Sequence, residues 1–161
     1  MILDITRPHQ KSEEPLPVAI WIHGGGFTGG GGQDMMFNMT NYALNGVIGV
    51  KINYRLGGLG FMNHVENGKT VGGNYGLLDM QMAIKFVVHN CHAIGCDPDN
   101  VSIFGESAGG AAIAYLIMGH EISPVSAFRV RFFLNIVFLV FSHCNSSITL
   151  GYIQYNTTTA N

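Results

Sequence analysis

The chain has 161 residues, enough for one domain with its own core, and 47% of them are hydrophobic, which excludes a disordered polymer. Eight Lys and Arg stand against ten Asp and Glu, a formal net charge of -2, and no basic stripe follows a phosphate backbone, so nucleic acid is not an expected partner. Only 11% of residues are charged, below the roughly 25% of an ordinary soluble domain, and this reads as part of a larger protein.

The opening "MILDITRPHQ" has no apolar h-region, so no signal peptide is expected in this chain and the compartment stays undetermined. "LPVAIWI", Leu16 to Ile22, is a continuous apolar run ended by glycines, the pattern of a strand buried on both faces. "DMMFNMTNYALNG" then predicts a short helix closed by Gly46, and "VIGVKINY", Val47 to Tyr54, a second buried strand. From Asn74 to about His92 the residues Leu77, Met80, Ile84, Val87, Val88 and Cys91 recur at helical spacing. "GCDPDN" predicts a turn, "VSIF" a third buried strand, and "AGGAAIAYLIM" a helix rich in small residues. Strands alternating with helices predict an α/β fold with a mostly parallel sheet flanked by helices.

The longest apolar run, Phe132 to Phe141, falls short of the roughly 18 residues of a membrane helix and is read as a buried strand or misplaced core. Cys91, Cys96 and Cys144 match no zinc-site spacing, and neither metal nor cofactor is expected. The redox state of these cysteines is left open. Asn38, Asn100, Asn145 and Asn156 begin glycosylation sequons, a short motif that also arises by chance.

Two motifs carry chemistry. Gly-Glu-Ser-Ala-Gly, Gly105 to Gly109, fits G-x-S-x-G at a strand-to-helix turn, where flanking glycines allow the sharp bend that would expose the Ser107 hydroxyl above the sheet. "HGGGF", His23 to Phe27, ends the first strong strand, and its glycines would let backbone N–H groups face a developing oxyanion. Either motif alone also suits a helix cap or a plain flexible loop. Their joint placement after two strands points to acyl transfer.

With those residues in view, "LPVAIWIHGGGF", "INYRLGGLGF", "GNYGLLDMQMAIKFVVHN" and "GCDPDNVSIFGESAGG" together resemble the type-B carboxylesterases, the cholinesterase and juvenile-hormone-esterase group of α/β-hydrolases. "ILDITRP" is similar to an early strand of that group, and "NYRLGGLGF" separates it from the hormone-sensitive-lipase group, which shares HGGG. The resemblance implies a partial α/β-hydrolase fold over residues 1–128, truncated after the helix that Ser107 opens, and a small carboxylic ester as substrate. It implies Ser107 as nucleophile, Gly25, Gly26 and Ala108 as oxyanion donors, and Glu106 as a wall of the site. It further implies a buried structural ion pair between Arg55 and Asp79. Met80, Phe86 and Cys96 depart from the group's usual Gln, Trp and Gly, away from the donors.

A serine hydroxyl needs a histidine to take its proton and an acid to orient that histidine, and this fold supplies them after the serine. Beyond Ser107 the chain offers only Glu121, His120 and His143. Glu121 and His120 fall at the end of the helix that Ser107 opens. His143 lies in residues 129–161, a tail without Asp or Glu that no longer resembles the group and reads as translation past an exon boundary. The expected function is ester hydrolysis by family, weak or absent in this chain as it stands. A non-catalytic interaction protein on the same fold, or a degenerate fragment, are the alternatives.

Overall fold

The computed structural model describes residues 2–10, 12–33 and 37–118, together with the backbone of 128–133 and 136–141. In chain order the elements are β1 (Ile2–Thr6), β2 (Leu16–Ile22), α1 (Thr40–Leu44), β3 (Ile48–Asn53) and α2 (Gly57–Phe61). There follow β4 (Asn63–Glu66), β5 (Lys69–Gly72), α3 (Tyr75–His89), α4 (Cys91–Ile94), β6 (Cys96–Glu106), α5 (Ala108–Met118), β7 (Phe128–Phe133) and β8 (Ile136–Phe141). The expected helix ending near His92 breaks at Asn90, so α3 and α4 are separate.

The main sheet runs β1-β3-β2-β6-β8-β7. It is parallel at its centre, where β2 pairs with β3 and β6, and antiparallel at both margins. The apolar run from Phe132 to Phe141 is divided between the antiparallel strands β7 and β8 and is not one strand.

Alternation along β2 builds two cores. Val18, Ile20 and Ile22 face a cluster that includes Val50, Ile52, Met80, Ile84, Ile103 and Ile113, from β3, α3, β6 and α5. Ala19 and Trp21 face the other way, toward Met39 and Phe104, with Phe37 and Tyr42 packed alongside. A strand buried on both faces has no polar side to show, which is why "LPVAIWI" reads as continuous apolar sequence. The architecture is therefore α/β, with helices on both faces of the sheet.

The predicted turn at "GCDPDN" is drawn into β6. Leu16 pairs with Cys96 and Val18 with Val101, so residues 97–100 bulge opposite Pro17, a residue with no N–H for the ladder. Asp97 shapes the bulge by accepting the Asp99 N–H at 3.0 Å. A second, two-stranded sheet, β4 with β5, was not foreseen. Its signal is Asn67-Gly68, both at positive φ (50° and 74°), as a two-residue hairpin turn requires.

Candidate active site

After β2 the chain places β3 on one side and β6 on the other. The carboxyl ends of β2 and β6 therefore form a topological switch point, the kind of place where open α/β sheets bind ligands. Ile22 is in register with Gly105. His23 and Glu106 thus leave the two strands side by side, and the two motifs distant in sequence share one end of the sheet.

Ser107 has φ +55°, a left-handed conformation that a side chain tolerates only at a cost of about 1 to 3 kcal/mol. Close packing holds it there. A methyl group on Gly105 would meet the Gly109 carbonyl carbon at 2.7 Å and Ile22 O at 2.8 Å, and one on Gly109 would meet Ile22 O at 2.1 Å. Only glycine fits at either flank, so the start of α5 lies directly on the end of β2. Ser107 itself is exposed between the buried Gly105 and Ala108.

The HGGGF loop lies against this turn. A methyl group on Gly24 would come within 3.2 Å of the Ser107 Cβ and 2.8 Å of Glu106 Oε2. Gly25 and Gly26 follow at φ +101° and +60°, both exposed. The loop's carbonyls turn inward. Tyr54 Oη donates to His23 O at 2.9 Å, Thr28 N and Gly29 N donate to Gly25 O, and Gly57 N donates to Phe27 O at 2.7 Å. Among the described residues, neither the Gly25 nor the Gly26 N–H is taken up by a backbone acceptor.

Arg55 and Asp79 meet in a two-pronged pair, with Nε to Oδ2 and Nη2 to Oδ1 both at 2.8 Å, and the Arg55 N–H adds a bond to Oδ2 at 3.0 Å. The side-chain hydrogen bonds from Arg55 lower the Asp79 pKa, against the opposing effect of burial. The pair differs from the expected buried one: the Asp79 side chain is 8% exposed, but that of Arg55 is 49% exposed. The guanidinium sits at the rim, 5.2 Å from the centre of the Tyr75 ring, and presents only one edge to the carboxylate.

No histidine or carboxylate among the described residues hydrogen-bonds the Ser107 side chain. His64, His89 and His92 are exposed, while His120, Glu121, His143 and Cys144 lie outside the described residues. Cys91 and Cys96 form a disulfide that the sequence had left open. No group of potential metal ligands occurs among the described residues, nor any helix long and apolar enough to cross a membrane. A cavity of about 780 Å³ is lined by Phe27, Phe61, Leu77, Tyr115 and Met118 but not by Ser107.

Residues 1–129 match the model of the carboxylesterase family. The chain is 45% identical over 130 residues to the fumonisin B1 esterase of Sphingopyxis macrogoltabida, covering 78% of this chain and 23% of that protein. It is 48% identical over 118 residues to the para-nitrobenzyl esterase of Bacillus subtilis, covering 73% and 24%. A solved PNB esterase superposes with a TM-score of 0.72 at 39% identity, covering 81% of this chain and 27% of that one. Juvenile hormone esterase from Manduca sexta, with OTFP covalently attached, gives 0.63 at 38% identity, covering 71% and 21%. The chain thus spans about a quarter of the length of these relatives, or less. With a family model matched over residues 1–129, and identity of this order to several esterases, the chain belongs to the carboxylesterase family.

Proposed function

We propose that this chain carries the nucleophile and oxyanion-binding part of a carboxylic-ester hydrolase. The observation that carries the reading is Ser107 at φ +55° with Gly24 packed against its Cβ, beside exposed Gly25 and Gly26. In this reading Ser107 Oγ attacks the ester carbonyl carbon and yields its proton to a base. The carbonyl oxygen becomes an oxyanion held by the N–H groups of Gly25, Gly26 and Ala108. Collapse breaks the carbon–oxygen bond to the alcohol, which leaves protonated, and water then hydrolyses the acyl-enzyme. Glu106 serves as a wall against the loop, its Oε2 packed where a side chain on Gly24 would lie. The covalent adduct in the juvenile hormone esterase supports nucleophilic chemistry in this family.

On this reading, slow turnover is the expected outcome for the chain alone. Hydrolysis of p-nitrophenyl acetate should stay near the roughly thousandfold to ten-thousandfold enhancement over water that donors and binding leave when a triad is incomplete. Site selectivity is the sharper test. A fluorophosphonate probe, followed by peptide mapping, should modify Ser107 about tenfold or more over Ser12 and Ser102, because only Ser107 has donors for the transition-state charge. Even modification of all three serines would remove Ser107 as nucleophile and leave a non-catalytic binding role for the fold.

A further inference from the structure

We propose that His23 is a positioning residue, whose Nδ1–H draws the Gly24 carbonyl into the protein and thereby turns the Gly25 N–H outward beside Ser107. The inference rests on the reading of Ser107 as nucleophile. His23 Nδ1 lies 2.8 Å from Gly24 O, and since a carbonyl can only accept, Nδ1 carries the proton. The peptide joining Gly24 to Gly25 is trans, as are all those described, so its C=O and N–H point to opposite sides. Holding one side fixes the direction of the other.

The surroundings suit a holding role. The His23 ring is 4% exposed and stacks on Tyr54, with ring centres 4.4 Å apart and planes 16° apart. Tyr54 in turn binds the His23 carbonyl, so one tyrosine fixes both the ring and the backbone behind it. Gly30, at φ +92°, covers the contact from outside, where a methyl group would lie 2.9 Å from Nδ1 and 2.7 Å from Gly24 O. Nε2 is buried without a hydrogen-bond partner. A bare lone pair is the cheaper group to leave there than an N–H, which agrees with the proton on Nδ1. Burial also lowers the pKa of the ring, against the opposing hydrogen bond to Gly24, and keeps it neutral.

The test compares wild type with His23→Asn, whose amide can donate from near the Nδ1 position, and His23→Phe, which can stack on Tyr54 but cannot donate. Backbone ¹⁵N relaxation should give Gly25 an order parameter of about 0.85 in wild type and His23→Asn, falling below about 0.6 in His23→Phe. Fluorophosphonate modification of Ser107 should fall about tenfold or more in His23→Phe and recover to within a few-fold in His23→Asn. Unchanged Gly25 order in His23→Phe, or no recovery in His23→Asn, overturns the proposal. If wild-type Ser107 is not selectively modified, the nucleophile reading fails, and the relaxation data still decide what His23 does. Should His23→Phe not fold, ¹⁵N-histidine spectra of the wild type decide: a proton on Nδ1 is expected, and one on Nε2 overturns the proposal.

Discussion

Strand β6 is irregular at both ends, and the two irregularities differ in kind. At its amino end, residues 97–100 bulge away from Pro17, and Gly95 at φ +88° has nothing within 4 Å of where a side chain would begin. A disulfide between Cys91 and Cys96 ties that end down. At its carboxyl end the backbone of Gly105 and Gly109 is pressed against Ile22, and Ser107 takes a conformation rare for a side chain. One end is open and held by a covalent bond; the other is held by contact alone. Contact of that closeness leaves no room for change, and it is the means by which a strained residue can be over-determined by its surroundings.

The largest expected effect is therefore at the packed end. In Gly109→Ala the new methyl group would lie 2.1 Å from Ile22 O, a backbone atom with no freedom to withdraw. A loss of about 3 kcal/mol or more, seen as collapse of soluble yield or of the denaturant midpoint, is expected. A variant as stable as wild type would show that α5 does not sit on β2.

Cutting the covalent tie comes next. On chain-entropy grounds a disulfide closing so short a loop contributes about 2 kcal/mol, so replacing both Cys91 and Cys96 with Ala should lower the unfolding free energy by that order. If the two ends of β6 are independent, the selectivity of probe modification at Ser107 should not move. A parallel loss of selectivity would break the contrast between the ends.

Asp79→Asn probes the ion pair at the rim of the packed end. A fully buried pair broken on one side costs about 3 to 5 kcal/mol. Because Arg55 remains half open to water and an amide oxygen can still accept its N–H, a smaller loss of about 1 to 2 kcal/mol is expected in chemical denaturation. A loss at the fully buried level would mean that solvent does not reach the guanidinium.

The smallest effect concerns pH. Burial lowers the His23 pKa in the folded chain relative to its ordinary value of 6.5, so the unfolded chain binds a proton more readily. The resulting stabilisation is complete above about pH 6.5 and is lost as pH falls from there through the folded value. Melting temperature should decline on acidification below pH 6.5 in wild type, with that component missing from His23→Phe. Identical slopes in the two proteins would show that His23 is not held neutral.

Much of this was legible in the sequence, for definite reasons. β2 is buried on both faces from Val18 to Ile22, so its apolar run is unbroken, while β3 and β6 stay legible although Lys51 and Ser102 interrupt them. The glycines marked the two motifs for different reasons: Gly25 and Gly26 in HGGGF take positive φ, whereas Gly105 and Gly109 beside Ser107 leave no room for a side chain against Ile22. Local pattern was poorer where a contact is non-local or a turn is absorbed. The β4–β5 hairpin had its Asn67-Gly68 signal, but its strands are exposed throughout and show no alternation. The bulge at residues 97–100 exists only relative to Pro17 on another strand.

By itself the sequence determined the α/β class, which rests on the alternation of apolar runs, and the family, which rests on motifs of residues adjacent in the chain. Only the tertiary structure decided that His23 and Glu106 emerge side by side, since that follows from the register of β2 on β6. It alone joined Cys91 to Cys96, exposed Arg55 at the rim, and set His23 against both Tyr54 and Gly24. Each of these depends on distances between residues that the linear order leaves free, and backbone packing between two strand ends and one helix sets them.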